Sequence, residues 1–281
     1  MPNVSGDSPE MKAMDGLEQR QRTYWNERFR QHWGPEGAGS VHLGRQFNAW
    51  RYRVRRAVFR RVVRRLGLDP GTLSVLDVGS GTGFYLGQWQ ALRAASISGL
   101  DISDWAVSQL AQIYPNATLY ELDIAGAHLP LPAQAFDVVT AIDVLTHVLD
   151  DAAYLRALGN IHRSLKPGGY LLYTDSFFHG PGKRFEDYWR GRSLNAIAAD
   201  MDAAGFEIVS RDPFSVLMSA PTDTRHRQRN ERIWDRVMIP VLRRNWIGFF
   251  YGAFLYPIEL FLVSTLRESP AIELMVCRKR S

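Results

Sequence analysis

The stretch Leu76-Asp77-Val78-Gly79-Ser80-Gly81-Thr82-Gly83 sets a carboxylate and three alternating glycines between an apolar run and a helical pattern. Glycines at this spacing let a backbone turn tightly and approach a ligand where a side chain would collide. The helix that starts near Phe84 then offers free amide groups to the same ligand. A dinucleotide site uses similar topology but needs G-x-G-x-x-G. Starting from Gly79 the third glycine position falls on Phe84, and from Gly81 it falls on Leu86, so neither register works. Asp77 would also repel a pyrophosphate, whereas it favours a ligand carrying a sulfonium and an amino group.

Other polar residues stand where strands end. Asp101 closes Gly99-Leu100-Asp101, and a carboxylate can accept from both hydroxyls of a vicinal diol. Asp143 and His147 follow the strand-like Phe136–Ile142 and are four residues apart. A helical turn starting there would put them on one face, with the imidazole a neutral base near pH 7. Asp175, Ser176, Phe177, Phe178 and His179 follow a later strand, with Tyr188 and Trp189 beyond. These extend toward the same mouth, and His179 is a second candidate base. The remaining histidines show no metal-ligand spacing and the single cysteine is Cys277, so no metal is expected.

The elements that must position these residues alternate. Ser74–Val78, Ser96–Leu100, Thr118–Leu122, Phe136–Ile142 and Tyr170–Thr174 read as strands, with helical patterns at Tyr85–Ala94, Trp105–Ile113 and Ala152–Leu165. Strands alternating with helices predict a parallel sheet covered on both faces. Another helix, Ser193–Ala204, leads to the strand Phe206–Ser210, and Ile272–Arg278 is the last strand. Upstream, Tyr24, Trp25 and Phe29 sit at helical spacing. A second helix puts Trp50, Val54, Ala57, Val58, Val62 and Leu66 on one stripe and eight arginines, Arg51 and Arg55 among them, on the remaining surface.

These residues resemble the first motif of the class I S-adenosylmethionine-dependent methyltransferases, an acidic residue followed by three alternating glycines. The resemblance implies that Asp77, Gly79, Gly81 and Gly83 hold the methionine part of S-adenosyl-L-methionine. It implies that Asp101 with Ile102 holds the ribose, and that Asp123 and Ile124 contact adenine. Phe136-Asp137-Val138-Val139 and Leu165-Lys166-Pro167-Gly168-Gly169 look like the family's fourth strand and the turn into its fifth. The likeness spans about Val75 to Tyr173. It implies an α/β, Rossmann-like, doubly wound sheet of seven strands with the last antiparallel. His147 is then the candidate base with Asp143 beside it in the catalytic pair, and the acceptor is a small molecule methylated on oxygen.

The domain organisation expected is a disordered leader over 1–19, an N-terminal helical cap over 20–70 and a methyltransferase domain over 71–281. That domain includes a helical insertion, 211–270, between the last two strands, far longer than an ordinary connection. Its apolar run Trp246–Leu266 approaches the length of a membrane span, but Pro257, Glu259 and the final strand's return to the sheet argue against crossing. The expectation is a buried helix pair over the active site. The alternative is peripheral membrane contact through 243–266, aided by Arg243 and Arg244, with a lipid-linked acceptor.

A chain that is 46% hydrophobic and 22% charged can bury a core, which excludes disorder over most of its length. The net charge of +5 comes from arginine, since lysine occurs only at positions 12, 166, 183 and 279. That admits an anionic partner. A nucleic-acid substrate is disfavoured, because Ile142-Asp143-Val144-Leu145 stands where base-amino methylation places an acidic or asparagine Pro-Pro-aromatic signature. A binding module that keeps the fold without catalysis is a further alternative. The polar first fifteen residues do not read as a secretory signal, so the expected location is cytoplasmic, at most peripheral at a membrane.

Overall fold

The computed structural model describes residues 9–185 and 188–280. In chain order the elements are α1 (Pro9–Gln31), α2 (Pro35–Ala38), α3 (Arg45–Arg65), β1 (Ser74–Val78), α4 (Phe84–Ala91), β2 (Ser96–Asp101), α5 (Asp104–Ile113), β3 (Thr118–Glu121) and β4 (Phe136–Ala141). They continue with α6 (Asp151–Ser164), β5 (Leu165–Asp175), β6 (Lys183–Phe185), β7 (Trp189–Gly191), α7 (Leu194–Ala203) and β8 (Phe206–Ser215). The chain then forms α8 (Arg227–Ile233), a π-helical turn over Trp234–Met238, α9 (Ile239–Leu242), α10 (Asn245–Thr265) and β9 (Ile272–Lys279).

Seven strands form one sheet in the order β3-β2-β1-β4-β5-β9-β8. The first five are parallel, and β9 inserts antiparallel between β5 and β8. The doubly wound sheet with an antiparallel last strand is thus as expected. Neighbouring residues along each central strand enter opposite cores. Leu76, Val139, Leu171 and Met275 pack with α6 and α7, while Val75, Val138, Leu172 and Val276 pack with α3, α4 and α10. That period of two is why the central strands read as continuous apolar runs: both faces are covered. Three of the helices, α5, α6 and α7, start on side-chain caps. Ser103, Asp150 and Ser193 accept from the backbone amides of Ala106, Ala153 and Ala196 at 3.0, 2.8 and 3.2 Å.

Strand order reverses at β1, which pairs with β2 on one side and β4 on the other, placing Asp77 beside Gly99 and Thr140. Ligands of open α/β sheets bind in the crevice outside such a switch point.

Several expectations change. Residues 1–8 of the expected leader lie outside the described residues, and α1 already runs from Pro9, so 9–19 are helical. Arg51 and Arg55 are not on the surface of α3; both are buried on its sheet-facing side. Phe47, Val54, Val58 and Val62 complete that face, so the helix buries two cations within an apolar stripe. The long insertion begins later than expected because β8 extends to Ser215.

The apolar run is one helix, α10, and not a buried pair. It lies along α3 at close range: a Cβ on Gly252 would come within 2.3 Å of the Trp50 indole, and one on Gly248 within 3.0 Å of Phe47 Cβ. Its opposite face is bare, with Trp246, Phe250, Phe254 and Phe261 each 64–68% exposed. Within this helix Glu259 is fully buried and points back into the fold, accepting from Ser215 Oγ at 3.0 Å and from the Val216 and Leu217 amides at 2.7 and 2.8 Å.

Candidate active site

The turn after β1 is built as its glycines require. Gly79, Gly81 and Gly83 all have positive φ, at 66°, 51° and 82°. At Gly79 a Cβ would meet a Val144 methyl at 2.3 Å, so the turn can pass under the segment after β4 only as glycine. Above this turn lies a cavity of about 840 Å³ of space outside protein atoms. Gly79, Gly81, Asp101, Ile102, Asp123, Ile124, Asp143 and His147, all expected at the site, line it together. Gly83 does not; it is the N-cap of α4, packed against Leu110 and Tyr114. Asp77 lies beneath the wall, buried within β1.

The floor is acidic and short of cations. Asp77 accepts from Thr140 Oγ1 at 2.6 Å, and its other oxygen is buried without a partner. Burial pushes its carboxyl up to about 7. Asp101 accepts from the Gly81 amide at 2.7 Å and the Ser103 amide at 2.9 Å, one on each oxygen. Each oxygen keeps a lone pair for a further donor. Burial raises this carboxyl to about 6 and raises that of Asp123 as well. A carboxylate without a basic partner suits a cationic amino acid and a diol, and it opposes a pyrophosphate. The cavity therefore fits a cationic amino acid joined to a diol, the two features that S-adenosylmethionine combines.

Sequence reading missed the roof. Gln21, Trp25 and Phe29 of α1, Ala38 of α2, and Tyr52 and Arg55 of α3 close the cavity from above. The helical spacing of Trp25 and Phe29 was a signal that they pack on something. Only the tertiary structure shows that they pack over the glycine turn.

Asp143 and His147 do not share a helical face. Asp143 takes a left-handed conformation, φ 59°, and the helical turn starts only at Leu145. A short polar side chain tolerates that region when it is tied locally. Here the Asp143 carboxylate forms a short ion pair with Arg55 and accepts from Thr174 Oγ1 at 2.8 Å. Burial alone would raise its pKa, but the Arg55 guanidinium beside it outweighs burial and holds it below the usual carboxylate range. The pair is a brace between α3 and the end of β4.

His147 is oriented from elsewhere. Its Nδ1 lies 2.6 Å from the carbonyl oxygen of Tyr188. A carbonyl only accepts, so Nδ1 carries the proton and Nε2 keeps its lone pair. The ring meets Trp25 edge-on at 4.9 Å, and the His147 carbonyl accepts from Gln21 Nε2 at 2.6 Å. Burial lowers the imidazole pKa, which keeps it neutral at physiological pH.

A second cavity, with about 1250 Å³ of space, adjoins the first and shares Trp25, Ala38, Arg55, Asp143 and His147 with it. Asp175, Ser176, Tyr188 and Trp189 line it, as the spacing after β5 suggested, together with Arg51 and Trp234. Phe177 and Phe178 turn inward and are buried, and His179 lines neither cavity. His179 is instead tied on the surface, Nδ1 2.6 Å from Asp223, whose carboxylate raises its pKa. That removes it as a candidate base. No α10 side chain lines either cavity, whereas Ser219, Ala220, Thr222 and Trp234 of the 211–270 insertion line the second. Among the described residues no group of carboxylates, histidines and cysteines has the arrangement of a metal site.

Residues 76–173 match the family model of the methyltransferase domain. A ubiquinone biosynthesis O-methyltransferase of Pseudomonas syringae pv. tomato is 38% identical over 104 residues, 36% of this chain and 43% of that protein. One of the same name from Pseudomonas paraeruginosa is 39% identical over 114 residues, covering 39% and 46%. The chain thus spans less than half the length of these curated relatives. Among solved structures, a 1,6-didemethyltoxoflavin-N1-methyltransferase of Burkholderia thailandensis aligns with a TM-score of 0.57 at 16% identity, covering 100% of this chain and 94% of that one. The [4+2]-cyclase SpnF aligns with a TM-score of 0.52 at 24% identity over 80% of each chain. Both likenesses concern the fold, and the two proteins are named for different reactions.

Proposed function

We propose that this chain, whose residues 76–173 match the methyltransferase-domain family model, is a class I S-adenosylmethionine-dependent methyltransferase that methylates a hydroxyl of a small-molecule acceptor. The observation that carries the proposal is His147, which stands on the wall shared by the two cavities with Nε2 unprotonated. The cofactor supplies a methyl group already activated on positive sulfur and leaves as a neutral thioether. The protein's tasks are then to hold the two reactants in line, exclude water and take one proton. Asp101, the glycine turn and Asp123 hold one reactant, Trp25 and Phe29 cover it, and Nε2 of His147 accepts the acceptor's hydroxyl proton. Asp143 serves as a positioning residue, since its carboxylate is committed to Arg55 and Thr174. The oxygen-directed name of the curated relatives supports the same reaction class.

Calorimetry with S-adenosylmethionine and S-adenosylhomocysteine, on the wild type and on Asp101→Ala, tests the cofactor half. Binding that Asp101→Ala weakens is expected, and no binding of either ligand would overturn the reading. Mass spectrometry of metabolites from cells with and without the gene, scanned for a methyl-sized mass difference, would identify the acceptor. Binding of the cofactor with no such difference would favour a non-catalytic or differently reacting member of the fold.

A second reading concerns where the protein works. Besides the bare face of α10, Ile233, Val237 and Val241 in the preceding helical segment are exposed, as are Arg236, Arg243, Arg244 and Arg267. An apolar ridge flanked by arginines suits the interface of an anionic membrane better than solvent. α10 is also long and apolar enough to cross a membrane by length and composition. However, its other face lies on α3, Glu259 is locked into the fold, and β9 returns to the sheet. Peripheral contact fits these facts. Trp234, in the same helical segment, lines the second cavity, so a lipid-linked acceptor could reach His147 from that side. Of the arginines of α3, Arg51 and Arg55 are buried, Arg65 pairs with Asp212 and Arg61 donates to the Val263 carbonyl, which leaves fewer of them for a nucleic-acid surface.

A further inference from the structure

The second cavity carries a buried guanidinium with which no carboxylate on its wall forms an ion pair. Arg51 is buried, and its guanidinium donates to two neutral oxygens, Asn48 Oδ1 at 3.0 Å and Ser219 Oγ at 3.1 Å. Its Nε is buried with no partner. Among the described residues no carboxylate lies within ion-pair distance of it; Asp143, on the same wall, is taken by Arg55. The buried Glu259 is in electrostatic range, but its oxygens are filled by Ser215 and the 216–218 amides and it does not face the cavity. Asp175 is the other carboxylate on the wall. Burial holds it up to about 7, so it is about half ionised at neutral pH, and it makes no ion pair with Arg51. Arg28, also on this wall, donates only to the carbonyls of Gly37 and Gly39 and to Tyr24 Oη.

A buried guanidinium without a counter-charge is costly, because the desolvation of the cation is not repaid. It is readily retained where an anionic ligand supplies the missing charge, and a guanidinium grips a carboxylate or phosphate with paired donors. Trp25, Trp189 and Trp234 on the same wall offer flat apolar surfaces beside it. We propose that the acceptor is an aromatic hydroxy acid whose anionic group binds Arg51, so that its ring lies among the tryptophans and its hydroxyl at His147. This deepens the methyl-transfer reading by naming a substrate class and rests on it.

The test uses full-length protein saturated with S-adenosylhomocysteine, titrated with 4-hydroxybenzoate, 4-hydroxyphenylacetate and 4-hydroxycinnamate, each against its own neutral amide. At least one acid is expected to bind about tenfold or more tightly than its amide, the scale of a charge-assisted contact in a buried site. Arg51→Met should bring that pair to within about twofold while leaving S-adenosylhomocysteine affinity unchanged, and Arg51→Lys should keep part of the preference. Acids and amides that bind alike, or acids that do not bind, overturn the proposal. So does a preference that survives in Arg51→Met. Because the acid–amide comparison is made first on the wild type, it stands even if a variant fails to fold. Phenyl phosphate displacing the best acid would assign the anion as a phosphate. Failure of S-adenosylhomocysteine itself to bind would instead strike the methyltransferase reading, and the acid–amide pairs on the apo protein would still report on Arg51.

Discussion

His147 and Asp77 show how one side chain's surroundings set its chemistry. Because Nδ1–H donates to the Tyr188 carbonyl and burial lowers the imidazole pKa, Nε2 keeps a free lone pair across neutral pH. His147→Gln is expected to lower kcat by about 10²-fold or more, the usual contribution of a positioned base, with cofactor affinity unchanged. Stopped-assay kinetics beside calorimetry would check both halves; an unchanged kcat would remove His147 as base. Asp77 and Asp101 are held at about 7 and about 6 by burial, against an ordinary 3.8. A carboxyl raised in the fold stabilises the apo protein fully below pH 4, and that contribution is lost as pH rises through its folded pKa. Cofactor binding runs the other way, since the ionised form attracts the cation. Affinity should weaken as pH falls from 8 to 5, by up to about tenfold per unit for each proton that must leave, and Asp77→Asn should flatten the profile. A pH-independent Kd in the wild type would refute this.

At the scale of elements, α10 is held by two devices that can be tested separately from catalysis. Gly248 and Gly252 let its backbone approach α3, so Gly252→Ala, whose Cβ would sit 2.3 Å from the Trp50 ring, should cost about 1–3 kcal/mol through overpacking. Glu259 satisfies the Val216 and Leu217 amides and Ser215 Oγ at the end of β8. Glu259→Ala would leave those donors buried and unpaired and should cost about 3 kcal/mol, whereas Glu259→Gln, which keeps one acceptor oxygen, should cost less. Urea unfolding of the three variants measures these differences. If Gly252→Ala is neutral, the two helices are not in the close contact described. Met218 and Ser219 follow directly, and Ser219 contacts Arg51, so the Glu259 variants should also loosen the acceptor cavity.

At the scale of the whole molecule, the active-site mouth and the bare aromatic face are joined through the helical segment that contains Trp234. Binding to anionic vesicles of phosphatidylglycerol is expected in a flotation assay, and to be lost on replacing Phe250 and Phe254 by serine. Their exposure of 67% and 68% means that this change should leave folding intact. Each exposed arginine near a charged surface adds about 1 kcal/mol, so binding should also fall with salt. Wild-type protein that stays with the soluble fraction at low salt would remove the membrane reading.

The sequence by itself determined the sheet and the glycine turn, and it singled out Asp101 and Asp123, which line the first cavity. Those features are local: a period of two along β1, β4 and β5, an acidic residue before three alternating glycines, and carboxylates at strand ends all sit within short stretches of chain. What only the tertiary structure decided depends on residues far apart. Nothing local distinguishes Arg51 and Arg55 from the arginines that α3 leaves in solvent; their burial follows from which side of that helix meets the sheet. Asp143 and His147 do not share the expected helical face, because Asp143, just after β4, is left-handed and two distant partners, Arg55 and the Tyr188 carbonyl, hold their side chains. The fate of α10 was likewise undecided in the sequence, since apolar composition is the same for a buried lid and an exposed face. Two glycines and one buried glutamate settle which side is covered, and those contacts exist only once α3, β8 and α10 have come together.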